Sequence, residues 1–320
     1  MRTRTLGKTG LSVSEIGFGS WAIGGGMWGG KRDDDARRAL SRAVDHGVTF
    51  IDTALVYGSG HSEKLVGEVL RKHQGLTVAT KVPPKSSQWP VRPGAKLADN
   101  FPADWIVRCA EKSLVNLGVD TIDLLQLHVW ADAWTDEDEW FSAMQDLQKA
   151  GKIRFIGVSI NSHDPGSAVR LVKSGRVDAL QVFHNIFDQS PEDELFPACL
   201  EHGVGVLSRV PFDEGALTGK LTKDTKFPDG DFRTDYFAGD LLPKTVDAVE
   251  KMRPILESAA GTMAKGALRY CLSHPAVSTV IPGMRSDAQV DDNCAAGDDG
   301  PLSAETLARL RPFRWVRDAY

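Results

Sequence analysis

Val48-Thr49-Phe50-Ile51-Asp52-Thr53-Ala54-Leu55-Val56-Tyr57 is the stretch whose reading decides the fold. A short run of strand-forming residues leads directly into an acid, Asp52, and a phenol, Tyr57, follows shortly after. Two later runs are built the same way. Leu76-Thr77-Val78-Ala79-Thr80 ends on Lys81, and Ile122-Asp123-Leu124-Leu125-Gln126-Leu127 ends on His128. In a barrel of parallel strands, side chains at the strands' C-terminal ends converge on one mouth, and that mouth holds the chemistry. An acid, a phenol, an amine and an imidazole gathered there can move a proton without a metal.

Working outward, the same alternation runs through the chain. The apolar runs Glu15–Gly19, Thr49–Thr53, Thr77–Val82, Ile122–His128, Phe155–Ile160, Ala179–His184, Gly205–Val210 and Ser278–Pro282 read as strands. They are short and apolar on both faces, as buried parallel strands are. Between them, apolar residues at helical spacing predict helices over Asp34–His46, Ser62–Lys72, Ala103–Leu117, Glu139–Ala150, Asp164–Lys173 and Glu192–Glu201. A single long helix is expected from Pro243 to Ser273, another from about Asp287, and a short amphipathic one within Pro301–Tyr320. Glycines after His46, Leu117, Ala150, Ser174 and His202 mark helix ends. Strand and helix alternating eight times predict a (β/α)8 barrel, a single domain over residues 1–320. Ahead of it, Thr3–Leu6 and Leu11–Ser14 flank Gly7-Lys8-Thr9-Gly10 and read as a β-hairpin that lids the barrel floor. Three long connections, Pro83–Pro102, Val129–Asp138 and Pro211–Leu242, follow strands and so rise over the mouth.

Bulk properties narrow the function. The 320 residues are 42% hydrophobic and 25% charged with a formal net charge of -5. That balance offers no electrostatic case for nucleic acid or an anionic membrane. No apolar run approaches the roughly 20 residues needed to span a bilayer, and no apolar segment follows the basic N-terminus as a secretory signal requires. Cys109, Cys199, Cys271 and Cys294 are widely spaced and form no ligand cluster, as expected of thiols in a reducing cytoplasm. No metal site is expected, since only His128 and His184 stand at strand ends.

The residue types suggest their roles. Tyr57 is the natural proton donor, but a phenol of pKa about 10 is a poor acid near neutrality. A neighbouring ammonium stabilises phenolate, so Lys81 is expected to pull that value down. Asp52 is expected to pair with Lys81, and His128 to hydrogen-bond the substrate oxygen or assist the proton transfer. None of the four donates hydride, so the chemistry calls for a nicotinamide. No GxGxxG opens a βαβ unit, and Gly24-Gly25-Gly26 with Gly29-Gly30 lack the Rossmann spacing.

These blocks resemble the aldo-keto reductases. Phe50-Ile51-Asp52-Thr53-Ala54-Leu55-Val56-Tyr57-Gly58 with Glu63 looks like that family's signature. Ala79-Thr80-Lys81-Val82, Asp123-Leu124-Leu125-Gln126-Leu127-His128 and Ile156-Gly157-Val158-Ser159 match its later blocks in order. The resemblance implies NADPH-dependent reduction of aldehydes or ketones, with Tyr57 as proton donor, Lys81 and Asp52 tuning it, and His128 orienting the carbonyl. It also implies an extended cofactor across the mouth, met on one side by Gly19, Ser20, Trp21 and Asp52. Ser159, Asn161 and Gln181 would hold the carboxamide; the family pattern is Ser-Asn in succession, and here Ile160 intervenes. In Ser208-Arg209-Val210-Pro211-Phe212, Arg209 stands where many relatives stack an aromatic, which a planar guanidinium can replace. Gly215, Leu217, Gly219 and Lys220 resemble a pyrophosphate clamp. Ile281, Pro282, Gly283 and Arg285 would grip the 2′-phosphate, with Gln289 and Asn293 on the adenine. Many relatives carry a lysine where Gly283 stands.

The mouth loops carry Trp21, Trp28, Trp89, Trp130 and Trp134 with Phe212 and Phe232, and of these Trp21, Trp28, Trp89 and Trp130 are expected around the substrate with Tyr57 and His128. The long internal loops resemble the bacterial oxidoreductase and potassium-channel β-subunit branch of the family. That branch leaves a second reading, an NADPH-binding, redox-sensing regulatory subunit with little turnover. The chain's start, shortly before the hairpin, favours the enzyme. No distinctive apolar helix face points to an oligomeric state.

Overall fold

The computed structural model describes residues 1–25 and 32–315. Trp28 and the Gly29-Gly30 pair lie outside them. The eight expected strands form one parallel sheet in sequence order: β3 (Phe18–Gly19), β4 (Phe50–Asp52), β5 (Thr77–Val82), β6 (Ile122–Leu127), β7 (Ile153–Ser159), β8 (Ala179–Phe183), β9 (Gly205–Arg209) and β10 (Val277–Val280). Parallel bridges Ile16↔Val280 and Gly19↔Gly283 join the two ends, so the sheet closes into a barrel. Gly19 is needed at that seam, because a Cβ there would lie 2.6 Å from the Ile281 carbonyl oxygen.

Side-chain alternation along each strand divides the core in two. Phe50, Ala79, Leu124, Ala179, Leu207 and Ile281 point inward and form one cluster. Ile51, Val78, Leu125, Leu180 and Val206, of opposite parity, point outward into the cluster shared with the helices. Above the inner apolar layer, the next inward positions are polar: Asp52, Lys81, Gln126, Ser159, Gln181 and Arg209. The period-two reading of the strands therefore places the chemistry in a single layer.

The hairpin, β1 (Thr3–Thr5) paired antiparallel with β2 (Ser12–Ser14), closes the floor as expected. Its Leu6, Leu11 and Val13 belong to the inner cluster. The turn is held by a Lys8 N–H to Gly203 carbonyl bond of 2.6 Å. Gly7 sits at φ +49° with its Cα so close that a Cβ would lie 2.3 Å from the Gly205 nitrogen. Only glycine satisfies both conditions.

The helices match in place, with one division. The single helix expected from Pro243 to Ser273 is two, Leu241–Ala260 and Met263–Ser273. Gly261 at φ +80° ends the first, and Thr262 caps the second by accepting from the Lys265 N–H. Asp164–Lys173 begins as a 3-10 turn over Pro165–Ala168 before the helix Val169–Lys173. The C-terminal helix is Ala304–Leu310.

The segment after that helix is anchored by charge. Arg311 donates to Glu192 at 2.7 Å, and Glu192 also accepts from Tyr270 at 2.7 Å and from His184 Nε2 at 3.0 Å. Burial acts to lower the His184 pKa and is outweighed by Cys271 and Glu192, which hold it at about 9. Burial likewise opposes ionisation of Glu192, yet its partners, His184 first, bring it down to about 2. A raised folded-state histidine pKa stabilises below the unfolded value of about 6.5, and that contribution disappears as pH rises through the folded value. Glu192 contributes above the ordinary carboxylate range and loses this as pH falls toward its own lowered value. The stability difference between wild type and Glu192→Gln should therefore be largest between about pH 4.5 and 6.5 and shrink toward both pH extremes, measured as urea midpoints. Gly7→Ala should destabilise by about 2 kcal/mol or more, read as a lower midpoint with native far-UV circular dichroism.

Candidate active site

Strand register brings the site together. Asp52 on β4 lies opposite Ala79 on β5, and Lys81, two residues on, projects to the same inner face. The Lys81 ammonium is fully buried, so its three protons all need acceptors. They go to Asp52 Oδ2 at 2.7 Å, the Thr53 carbonyl at 2.8 Å and the Tyr57 hydroxyl at 3.4 Å. The other oxygen of Asp52 accepts from Gln181 Nε2 at 2.7 Å and Gln126 Nε2 at 3.3 Å. Expected partners Asp52, Lys81 and Tyr57 are thus one connected set.

His128, following β6, places its ring edge-on to Tyr57 with centroids 5.7 Å apart. Burial, then the charges of Lys81 and Arg209, hold its pKa well below the ordinary histidine value. His128 is therefore a neutral imidazole near neutrality, suited to donating one N–H. The direction for Tyr57 corrects the sequence expectation. Burial outweighs the opposing pull of Lys81, so its pKa is raised rather than lowered. Tyr57 holds its proton firmly at neutral pH, and Lys81 limits the rise. Around the pair runs an arc of rings: Phe232 to Trp21 at 5.0 Å, Trp21 to Tyr57 at 6.3 Å, and Trp89 to His128 at 4.5 Å.

The sequence model of the Aldo/keto reductase family matches residues 15–314. The chain belongs to that family. Among curated relatives, this aldo/keto reductase is 31% identical to aldo-keto reductase YhdN of Bacillus subtilis, over 91% of this chain and 87% of the relative. It is 30% identical to the NADH-specific methylglyoxal reductase of Escherichia coli, over 92% and 93% of the two chains. Among solved structures, the glycerol dehydrogenase of Gluconobacter oxydans superposes with a TM-score of 0.81 at 31% identity, covering 97% of this chain and 94% of that one.

Members of the family bind nicotinamide cofactors, and the mouth of this aldo/keto reductase fits one. Gly283, after β10, has open space where a side chain would stand, and Gly215 has only Arg233 Nη1, at 3.8 Å. The helix Asp287–Cys294 begins with a reciprocal cap: Ser286 Oγ accepts from the Gln289 N–H, and Gln289 Oε1 accepts from the Arg285 N–H. Arg285 is exposed at this helix start, and its charged neighbours are Arg233, Asp231 and Arg32. Ser159 and Asn293 are buried beside the mouth, Phe212 is half-buried, and Lys220 is exposed. Arg209 donates to the Ile160 carbonyl and Ser162 Oγ, both at 3.1 Å, and lies over the Phe183 ring. Val210 is left-handed at φ +56°, and Pro211, Ile281 and Pro282 are buried in the strand-end backbone.

Several expected contacts are turned elsewhere. Trp130 is fully buried, edge-on to Trp134 and Trp140, so it packs the loop and does not face substrate. Ser20 and Ser208 are fully buried, Ser20 accepting from Ser62 Oγ at 2.8 Å and Ser208 donating to the His184 carbonyl at 3.2 Å. The Leu217 side chain is in the core, and the Gly219 carbonyl is taken by Arg253. Asn161 donates to the Trp130 carbonyl at 3.1 Å, which ties the loop after β7 to the loop after β6. Sequence reasoning missed Gln126, although its place two residues after Leu124 and two before His128 puts it on the inner face. Phe232, expected among the mouth aromatics, does stand against Trp21; Arg233, close to Arg285, was missed, since loop residues carry no periodicity to place them.

Lys81→Met, which strands the buried Asp52 charge, should destabilise the fold by about 3–5 kcal/mol. Asp52→Asn added to it should recover at least about half, because no uncompensated charge then remains. Urea unfolding of the wild type, the single and the double variant measures both.

Proposed function

We propose that this aldo/keto reductase is an NADP-dependent carbonyl reductase, converting an aldehyde or ketone to an alcohol with Tyr57 as the proton donor. The observation that carries the reading is the Lys81 ammonium, closed onto Asp52 at 2.7 Å and turned to the Tyr57 hydroxyl at 3.4 Å. When bound, the reduced nicotinamide would supply the hydride to the carbonyl carbon. The protein supplies the rest. Tyr57, protonated at neutral pH, gives its proton to the carbonyl oxygen as charge develops there. Lys81 stabilises the phenolate left behind. Neutral His128 donates a hydrogen bond that orients the carbonyl without competing for the proton.

Ser159 and Gln181 are the residues that would hold the carboxamide, with Arg209 beside the ring. Gly215 and Lys220 would meet the diphosphate, and Gly283, Arg285, Gln289 and Asn293 the adenosine end. Preference for the 2′-phosphate rests on Arg285 at the helix start, a setting that suits an anion. One relative is named as NADH-specific, so this preference belongs to this chain's own residues. The arc of Trp21, Phe232 and Trp89 favours substrates with an apolar or planar face. No described helix is long and apolar enough to cross a membrane, and the four cysteines are free and buried, which supports a reducing, cytoplasmic setting.

Turnover is followed as loss of NADPH absorbance against a panel of aldehydes. Tyr57→Phe should lower kcat/KM by at least about a hundredfold, the scale of general acid catalysis. Full activity in that variant would remove Tyr57 from the role. Tight NADPH binding without turnover of any carbonyl would favour the redox-sensing reading. Arg285→Ala should weaken NADPH by about tenfold more than NADH; equal losses would take the 2′-phosphate away from Arg285.

A further inference from the structure

Gln126 is a polar residue in the barrel interior whose presence its own hydrogen bonding does not explain. It is fully buried, at 0% accessibility. Its Nε2 reaches Asp52 Oδ1 at 3.3 Å, yet its Oε1 has no partner among the described residues. A leucine, as at positions 124, 125 and 127, would fill the space without leaving a buried acceptor unpaired. The reverse amide orientation would set oxygen against the carboxylate, so the N–H toward Asp52 is the consistent one. Room for the side chain is made by its strand neighbour. Gln126 pairs in register with Gly157, where a Cβ would lie 2.9 Å from Gln126 Cγ.

The same oxygen of Asp52 is shared with Gln181, and the other oxygen with Lys81. We propose that Gln126 is a positioning residue: with Gln181 it fixes the Asp52 carboxylate so that one oxygen serves the two glutamines and the other serves Lys81. Two consequences follow from this division. The Lys81 ammonium is left one proton for Tyr57. The Gln181 amide nitrogen is committed to Asp52, so its oxygen is the atom offered toward the mouth. One carboxylate thereby links the proton donor to the residue that would hold the carboxamide; this rests on the nicotinamide-binding reading above.

The test compares binding of NADPH with binding of adenosine 2′,5′-bisphosphate, which lacks the nicotinamide, by quenching of tryptophan fluorescence. Gln126→Leu should weaken NADPH by about three- to tenfold and leave the bisphosphate unchanged, and kcat for carbonyl reduction should fall. In Gln126→Glu, burial beside Asp52 keeps the new carboxyl protonated at low pH, where it can donate as the amide does. Its NADPH affinity should therefore match wild type in mild acid, where Gln126→Leu of similar bulk stays weakened for want of a donor, and fall steeply with rising pH. Equal losses for both ligands in Gln126→Leu, or a pH-independent Gln126→Glu, would overturn the assignment of Gln126 alone. A wild-type protein that binds the bisphosphate and NADPH equally would overturn the nicotinamide site, and the link with it.

Discussion

The buried Lys81–Asp52 pair is the interaction on which the arrangement depends. An ammonium removed from water is tolerated only when every proton is met and the opposite charge is held in place. Here that condition recruits residues from several strands: Asp52 from β4, Lys81 from β5, Gln126 from β6 and Gln181 from β8, with Thr53 and Tyr57 on the loop that follows β4. Each is on an inward position of its strand or directly beyond it, so the register of the parallel ladder fixes their distances. Shifting one strand by a single residue would turn its contributor outward among the helices. The pair is thus a check on barrel closure as well as a part of the chemistry.

Around this charge the environment sets opposite demands on two neighbours. Burial raises the Tyr57 pKa and lowers that of His128, while Lys81 opposes the first change and reinforces the second. Both groups are consequently neutral hydrogen-bond donors near neutrality, side by side under a wall of aromatic rings. A carbonyl oxygen is an acceptor only, and two convergent donors suit it. The same desolvation that makes Tyr57 a weaker acid keeps water from competing for that oxygen.

Much of this was legible in the sequence because it follows from periodicity. The strand runs ending on Asp52, Lys81 and His128 were recognisable from apolar residues followed by a polar one, and β5 has the predicted ends. The hairpin was legible from a glycine-bounded turn between short runs. What periodicity does not encode was missed. The break at Gly261 lies between two apolar-periodic segments of similar face, and only the left-handed glycine and the Thr262 cap separate them. Trp130 reads as a mouth aromatic by position, but a cage of Trp134 and Trp140 draws it inward. The sign of the Tyr57 shift depends on how far burial exceeds one ammonium at 3.4 Å, a balance that depth sets and spacing does not. Gln126 was overlooked because a glutamine at a strand end is unremarkable until its partner is seen across the barrel.

The floor hairpin bears on the order in which the molecule is built. Leu6, Leu11 and Val13 find their partners on strands distributed as far along the chain as Leu207 and Ile281, and the Gly7 turn rests on Gly203 and Gly205. The first strand of the barrel likewise closes on the last. During synthesis, the apolar residues of the hairpin therefore wait until the strands that cover them exist. Contacts of such long sequence separation slow folding and prolong exposure of sticky surface. The glycine seat at residues 203 and 205 sets when that wait can end, and the hairpin, made well before its seat, is among the last parts to settle.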